Sequence, residues 1–342
     1  FLSFDCLCTF RYCSLKINFI FMKVARLIDF KKFEFSNSDI IEPNEGECLL
    51  KVKVVSVCGT DIRREFNKKW NNESYPQIDG LPCHEVVGEI YRSKSKFFKE
   101  GDRVLAVPTS DNGLQEYLTL SEDRFLHLPD YGDYEDWVMC QHSGTVLYAS
   151  KKWGNPVGKN IAILGQGGIG LSFTMIASMQ GAKSIICVDY NQFRLDFSKK
   201  FGSTHVINAS NENILERISE ITNGQMADIV VEASGSSSGL NDSIEVVRKK
   251  GKIILFGLTQ DDLIPFNQNN FLSKNCIIES TLIAGTETPL KEIKEMIEMK
   301  KRGLLDPGKL KTHVMDWENV QEAFDMYDKN SEGLIKIALK VS

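Results

Sequence analysis

The sequence predicts an α/β protein of two domains, one rich in β-strands and one built on a doubly wound parallel sheet. Residues 24–128 have the pattern of short strands joined by loops, whereas strands and helices alternate after about Ser150. Such alternation implies crossover connections and a parallel sheet that helices cover on both faces. The length of 342 residues also exceeds what one hydrophobic core usually supports, which favours two domains.

The composition favours a globular protein with a small-molecule partner. Hydrophobic residues make up 42% of the chain and charged residues 25%, which is ordinary for a soluble globular protein. The net charge of −5 offers no basic surface for nucleic acid. The nine cysteines form no compact framework, so we expect reduced thiols in a cytoplasmic protein, with one or two used as metal ligands.

Residues 1–21 differ from the rest of the chain. They are mostly apolar and aromatic, but the charged residues Asp5, Arg11 and Lys16 interrupt the segment. Because of these charges, the segment would be a poor membrane span. They also lack the basic start and cleavage site of a signal peptide. We expect a tail without a defined fold ahead of Met22, and no membrane partner; a short membrane-associating tail is the alternative.

The first domain is predicted from alternating apolar residues, the period of a half-buried strand. Its strands are expected at 49–57, 86–90, 101–107 and 334–341, and two helices at 289–301 and 320–329. We expect little helix over residues 24–128. The C-terminal segment should return to this domain, which would then comprise residues 22–150 and 286–342.

The second domain is predicted over residues 151–285. Its strands are expected at 160–164, 184–189, 206–207, 228–232, 252–256 and 277–283. Helices are expected between them at 168–180, 192–201, 213–222 and 238–249. Each strand is short and apolar, as a strand buried on both faces should be.

A glycine-rich turn joins the first strand and helix of this domain. In Gly165-x-Gly167-x-x-Gly170, the first glycine permits the tight turn, the second admits a pyrophosphate and the third allows close packing of helix on strand. The free N–H groups at the helix start, with Gly168 and Ile169, would face the phosphates. The context predicts a Rossmann dinucleotide site; glycines used only for packing are the alternative.

Asp189 indicates which dinucleotide would bind. It ends the second strand of the domain, where a carboxylate accepts hydrogen bonds from the ribose hydroxyls and repels a 2′-phosphate. Tyr190 and Asn191 follow, so no basic residue stands directly beside it to bind NADP. The predicted cofactor is therefore NAD, with Arg194 on the next helix among its binding residues.

Two short loops carry residues that can bind a metal. Cys58 opens a Gly-Thr-Asp turn after a strand, and His84 and Glu85 precede another strand. Thiolate, imidazole and carboxylate are the zinc ligands of proteins, and a catalytic zinc usually keeps three of them and one open position. A lone cysteine or histidine is more often a packed residue, but here a dinucleotide domain follows both loops.

These motifs together resemble the zinc-dependent medium-chain dehydrogenases and reductases, which include alcohol, sorbitol, threonine and glucose dehydrogenases. The residues that carry the resemblance are Cys58 to Asp61, His84 to Gly88, Gly101 to Val104, Gly165 to Gly170 and Asp189. The resemblance implies a GroES-like catalytic domain and a Rossmann domain. It implies that Cys58 and His84 bind zinc, that Glu85 is a ligand or a close carboxylate, and that Thr60 passes on the substrate proton.

The resemblance also implies a further protein ligand from the segment ahead of the dinucleotide domain. Aligning the apolar run 146–149 places Gln141 at that position, so we expect Gln141 as the ligand, slightly ahead of Cys140 and with His142 as another alternative. Many relatives carry a lobe with four cysteines for a structural zinc. No cysteine lies between Glu85 and Cys140, so we expect one zinc per chain.

The expected activity is zinc-dependent hydride transfer between a secondary alcohol, polyol or sugar-type substrate and NAD. Two alternatives stay open. One is a zinc-free quinone or enone reductase of the same superfamily. The other is a non-catalytic dinucleotide-binding protein, which three departures from the family pattern motivate: Cys83 in place of a glycine, Gln141 in place of a charged or thiol ligand, and Arg63. Arg63 replaces a relay histidine of the family; it either holds an anionic substrate group or lies on a helix surface. The resemblance also implies a homodimer or homotetramer, in which the strand at 277–283 would continue the sheet of the dinucleotide domain into a second copy.

Overall fold

The computed structural model describes residues 21–283, 286–331 and 333–341. The predicted tail lies outside these residues, except for Phe21, which begins the first strand.

The strands are β1 Phe21–Asp29, β2 Lys32–Asp39, β3 Glu47–Ser56, β4 Glu85–Ser93, β5 Arg103–Ala106, β6 Tyr117–Ser121, β7 Phe125–His127, β8 Asn160–Leu164, β9 Ser184–Asp189, β10 His205–Asn208, β11 Ala227–Glu232, β12 Val247–Leu255, β13 Ile277–Ser280, β14 Lys311–Asp316 and β15 Lys336–Lys340. The helices are α1 Gly59–Asp61, α2 Tyr134–Trp137, α3 Met139–Ser150, α4 Gly168–Met179, α5 Gln192–Lys199, α6 Ile214–Ile221, α7 Gly239–Val246, α8 Gln268–Lys274, α9 Lys291–Lys301 and α10 Val320–Asp328, and a π-helical turn covers Ile62–Phe66.

A six-stranded parallel sheet carries the glycine-rich turn. Its strand order is β10-β9-β8-β11-β12-β13, so the order reverses between β8 and β11. That is the doubly wound topology, which binds ligands in the crevice at the carboxyl ends of the strands beside the reversal. All five residues of β8 are buried, as the continuous apolar run of a central parallel strand requires. The predicted α/β class is confirmed.

A seven-stranded sheet carries the cysteine and histidine loops. Its order is β14-β15-β3-β4-β5-β7, and β6 pairs with β3 beside this path. The C-terminal strand β15 pairs antiparallel with β3, so the end of the chain lies beside the strand that leads to Cys58. On this sheet membership we propose the division into residues 22–150 with 286–342, and 151–285.

Helix α3 lies between the two sheets. Ten of its twelve residues are buried, and Gly144 on it lies so close to Ile293 of α9 that a β-carbon there would fall 2.6 Å from the Ile293 Cα. Its Ser143 hydroxyl is also 3.1 Å from that of Ser172 on α4. The helix therefore fixes residues 140–142 between the loops of the first sheet and the glycine-rich turn of the second.

One helix was not predicted, and one predicted helix ends early. Residues 24–128 hold little α-helix, as expected, but α3 follows them at Met139–Ser150. The helix predicted over 238–249 ends at Val246, because Val247 already pairs with Ala227 of β11. Lys250 adopts a left-handed backbone with φ of 60°, which accommodates the irregular register of this early part of β12.

Candidate active site

The pairing of β3 with β4 brings the predicted metal ligands together. Ser56 at the end of β3 lies opposite Glu85 at the start of β4, so Cys58, just past β3, lies near His84, just before β4. One ligand atom of each of Cys58, His84 and Glu85 lies within 4.8 Å of the others. A thiol, an imidazole and a carboxylate at this separation could hold a zinc ion.

Asp61 fixes the orientation of His84. The Asp61 carboxylate is 2% exposed, and its Oδ1 accepts a hydrogen bond of 2.9 Å from Nδ1 of His84. Its Oδ2 accepts a second one, of 2.8 Å, from the backbone N–H of Cys58. Nδ1 of His84 is thereby occupied, which leaves Nε2 for a metal and is the usual arrangement around a ligating histidine.

The same contact changes the charge of His84. Burial lowers the pKa of His84, but the Asp61 charge and hydrogen bond, together with Cys58, raise it well above its usual range. In the absence of metal, the imidazole therefore holds its proton near neutral pH. A metal that binds Nε2 must displace that proton, so metal binding and proton release are coupled.

Lys336 pairs with Glu85 in the interior. Its ammonium donates to Oε1 and Oε2 of Glu85 at 2.9 and 2.8 Å and to the carbonyl of Val57 at 2.8 Å. Both side chains are fully buried. Burial lowers the pKa of Lys336, but the negative charge of Glu85 outweighs it and the pKa is raised. A carboxylate has about four lone-pair sites, so Glu85 keeps acceptor sites for a metal.

Sequence reasoning missed the roles of Asp61 and Lys336. Asp61 was part of the quoted motif, but nothing local showed that it reaches His84. The sequence pattern could have predicted an ion pair for Lys336, because a lysine at an inward position of an apolar strand implies a buried partner of opposite charge. Which carboxylate serves as the partner depends on the pairing of β15 with β3, which the sequence does not state.

The three candidates for a further ligand lie on α3 in different surroundings. Cys140 faces Lys300, Asp306 and Asp136, and burial raises the pKa of its thiol to about 12, which disfavours the thiolate. It is outside the group formed by the ligand atoms of Cys58, His84 and Glu85.

Gln141 and His142 differ in their access to the cleft. Gln141 is buried and does not line the cleft, whereas His142, also buried, does. Burial and the positive charges of Lys336 and His84 hold the pKa of His142 well below its usual range. Its Nδ1 has no hydrogen-bond partner.

The glycine-rich turn has the geometry that the motif predicts. Gly165 has φ of 94°, and a β-carbon there would lie 2.8 Å from the Ser234 backbone. Gly167 caps α4, and a β-carbon at Gly170 would collide with the carbonyl of Gly165. Only glycine fits at Gly165 and Gly170, whereas a β-carbon at Gly167 would meet only the Arg194 guanidinium, 3.9 Å away. The space beside Gly167 leaves the start of α4 open toward the cleft.

Asp189 lies at the carboxyl end of β9 beside this turn. Its Oδ2 accepts from the Gln166 N–H at 2.6 Å and its Oδ1 from the Asn191 N–H at 2.9 Å. Asp189 and Arg194 both line the cleft, and the Arg194 guanidinium donates to Asn330 Oδ1 at 3.0 Å. The predicted cofactor residues thus lie together, except Gly170, which packs behind the turn.

Arg63 connects the two sheets across the cleft. From the turn after α1, its guanidinium donates to the carbonyl of Ser234 at 3.1 Å and to that of Leu258. These carbonyls follow β11 and β12, and a β-carbon at Gly235 would collide with the guanidinium. Neither reading from the sequence, an anion-binding group or a free surface residue, describes this contact.

One cleft of about 960 Å³ joins these features. It is lined by Cys58 and Thr60 from the metal loops and by Gly165, Gly167, Gly168, Ile169, Asp189 and Arg194 from the second sheet, with Arg63 and His142 between them. The Thr60 hydroxyl lies 3.8 Å from the Cys58 sulfur. The cleft can therefore hold a dinucleotide and a second small molecule beside the candidate metal site.

Comparisons with known proteins match both halves of the chain. Residues 44–149 match the family model described as "Alcohol dehydrogenase GroES-like domain", and residues 168–301 match that described as "Zinc-binding dehydrogenase". A sorbitol dehydrogenase of Bacillus subtilis is 29% identical to the chain, over 89% of it and 93% of the relative. An L-threonine 3-dehydrogenase of Idiomarina loihiensis is 25% identical, over 87% and 94%.

The fold matches solved structures along nearly its whole length. The crystal structure of an oxidoreductase/dehydrogenase of unknown specificity from Escherichia coli superposes with a TM-score of 0.84 at 26% identity. The match covers 94% of this chain and all of that one.

Proposed function

Since the chain belongs to the family of zinc-type medium-chain dehydrogenases, we propose that it is an oxidoreductase that transfers a hydride between a secondary alcohol, polyol or sugar-type substrate and NAD. The observation that supports the proposal is the shared cleft, which Cys58 and Thr60 line together with the glycine-rich turn. A substrate at the metal loops would therefore face the part of a dinucleotide that the turn positions.

The proposed zinc ligands are Cys58, His84 and Glu85, with Gln141 as the further protein ligand. The donor set fits zinc, because sulfur, nitrogen and oxygen donors converge and Asp61 leaves Nε2 of His84 available. When bound, zinc would supply a Lewis acid that lowers the pKa of a substrate hydroxyl toward neutrality. The surroundings of Cys140 argue against it as a ligand.

The chain's own residues would position the substrate and carry its proton. Thr60, beside Cys58 in the cleft, can accept a proton from the substrate hydroxyl and pass it to the cofactor ribose or to water. Asp61 holds His84 in one orientation, and Lys336 holds Glu85. The glycine-rich turn fixes the cofactor, which supplies the redox chemistry.

NAD is the proposed dinucleotide because of Asp189. Its carboxylate lines the cleft at the end of β9, where it would accept the ribose hydroxyls and repel a 2′-phosphate. Two backbone N–H groups hold it in place. Arg194 also lines the cleft, but one of its N–H groups is already paired with Asn330.

A screen of alcohols, polyols and sugar acids with NAD and NADP would test the proposal. We expect reduction of NAD by at least one polyol or secondary alcohol, with NADP much poorer. Equal use of NADP would contradict the assignment of Asp189. No turnover with any alcohol, together with reduction of quinones or enones, would favour the zinc-free reductase; binding of NAD without any turnover would favour a non-catalytic dinucleotide-binding protein.

A homodimer or homotetramer in the cytoplasm is the proposed assembly. Among the described residues, strand β13 is one of the two edges of the six-stranded sheet, and it exposes Ile277, with Leu272 and Leu282 nearby. A second copy could cover these apolar residues by continuing the sheet.

No helix in the described residues is long and apolar enough to cross a membrane. Sedimentation of the wild type and Ile277→Lys would test the assembly.

A further inference from the structure

His142 is a buried polar side chain without a complete set of partners. It is 3% exposed, yet it lines the cleft, and its Nδ1 is sealed from solvent with no hydrogen-bond partner. Buried polar atoms in folded proteins are normally paired, so the sealed and unpaired Nδ1 bears on which of the two ring nitrogens carries the hydrogen.

The ring lies beside the start of α4. A β-carbon on Gly168 would fall 3.1 Å from both Cε1 and Nε2 of His142, and 3.2 Å from Cδ of Lys336. Gly168 is the first residue of α4, where free backbone N–H groups and the helix dipole favour a phosphate. Nε2 therefore lies beside the first residue of a helix whose N-terminus favours a pyrophosphate.

The surroundings of the two ring nitrogens assign the hydrogen to Nε2. A histidine ring always carries at least one N–H. On Nδ1 that hydrogen would have no acceptor in its sealed position. On Nε2 it points along the Gly168 side of the ring, so a ligand there could accept it.

We propose that His142 binds the dinucleotide by donating a hydrogen bond from Nε2 to a pyrophosphate oxygen beside Gly168. The inference rests on the proposed function, in that the cofactor is a dinucleotide held by the glycine-rich turn. It replaces the view of His142 as a zinc ligand, since the group of candidate ligands in the described residues is Cys58, His84 and Glu85.

Binding of nucleotides of increasing length would test this role. His142→Leu removes the donor at similar volume, and His142→Gln keeps an N–H donor. We expect His142→Leu to weaken NADH and ADP by about 10- to 100-fold, the usual effect of losing a hydrogen bond to a charged group. AMP, which lacks the second phosphate, should bind as before, and His142→Gln should recover most of the affinity. His205→Leu is the control, because His205 is exposed at the start of β10.

The readouts are the quenching or enhancement of NADH fluorescence, calorimetry with ADP and AMP, and the zinc content of each variant. Unchanged NADH and ADP binding in His142→Leu would overturn the proposal. Loss of zinc from that variant would also overturn it, in favour of a metal ligand. Weakening of NADH alone would place the contact at the nicotinamide end and overturn the pyrophosphate assignment. A wild type that fails to bind NADH would overturn the proposed function itself.

Discussion

Single side chains decide how the candidate zinc ligands are held. Asp61 bonds both His84 and the backbone of Cys58, so one buried carboxylate aligns two ligands. Partners of this kind usually matter nearly as much as the ligands themselves.

Replacing Asp61 should therefore weaken zinc binding without removing a ligand. We expect Asp61→Asn to lower zinc affinity by about 10- to 100-fold, as measured by competition with a chromophoric chelator. Asp102→Asn is the matched control, because Asp102 also faces a histidine, His127 at 3.8 Å, away from the cleft. Equal zinc affinity in the two variants would show that Asp61 does not position His84.

Residue types and spacing alone could identify part of the site. Cys58 and His84-Glu85 were candidates because their residue types bind zinc, because they lie in loops beside strands and because a dinucleotide domain follows. The resemblance to the dehydrogenase family implied that they serve one zinc. Asp61, Lys336 and the Arg63 contacts could not be predicted, because they depend on where side chains point across the fold. The identity of the further ligand on α3 stays a prediction for the same reason.

Strand β15 stabilises the site as an element. It places Lys336 inside the protein against Glu85, while Lys340 at its other end bonds Glu135 at the surface. A buried ion pair that loses one partner leaves an uncompensated charge, whereas an exposed pair contributes little. Lys336 and Lys340 should therefore differ strongly in how much their ion pairs contribute to the stability of the fold.

Lys336→Met should lower the free energy of unfolding by about 3–5 kcal/mol, because Glu85 is then buried without a partner. Adding Glu85→Gln should restore much of the loss. Lys340→Met should cost less than about 1 kcal/mol. Urea unfolding of the metal-free proteins would measure all three. Similar losses for Lys336→Met and Lys340→Met would contradict the described pairing.

Helix α3 shows why some elements escape prediction. It packs between α4 and α9 and is buried nearly all round, so it has no polar face and no clear helical period. The strands of the six-stranded sheet were predictable because their short apolar runs are separated by amphipathic helices. The boundary error at Val247 arose because β12 begins before its apolar run.

At the scale of the whole molecule, Arg63 links the two sheets. Its guanidinium extends from the turn after β3 and α1 to the carbonyls that follow β11 and β12. Both loops line the cleft, so the contact limits how far they can separate from each other.

Arg63→Ala should loosen this link without removing a ligand. We expect faster hydrogen exchange in residues 234–236 and 257–259, and a loss of about 1–3 kcal/mol of stability from two charge-assisted hydrogen bonds. Arg64→Ala, a change at the exposed neighbouring residue, should alter neither the hydrogen exchange of these residues nor the stability. Turnover of neutral and anionic alcohols should fall equally in Arg63→Ala; selective loss of the anionic ones would instead favour an anion-binding role.

The central claim is that a zinc ion at Cys58, His84 and Glu85 serves hydride transfer to NAD. Zinc content and NAD reduction of one preparation, measured before and after chelation, test it most directly. We expect one zinc per chain, loss of turnover when zinc is removed, and recovery when zinc is returned. Turnover that continues in the zinc-free protein would contradict the claim.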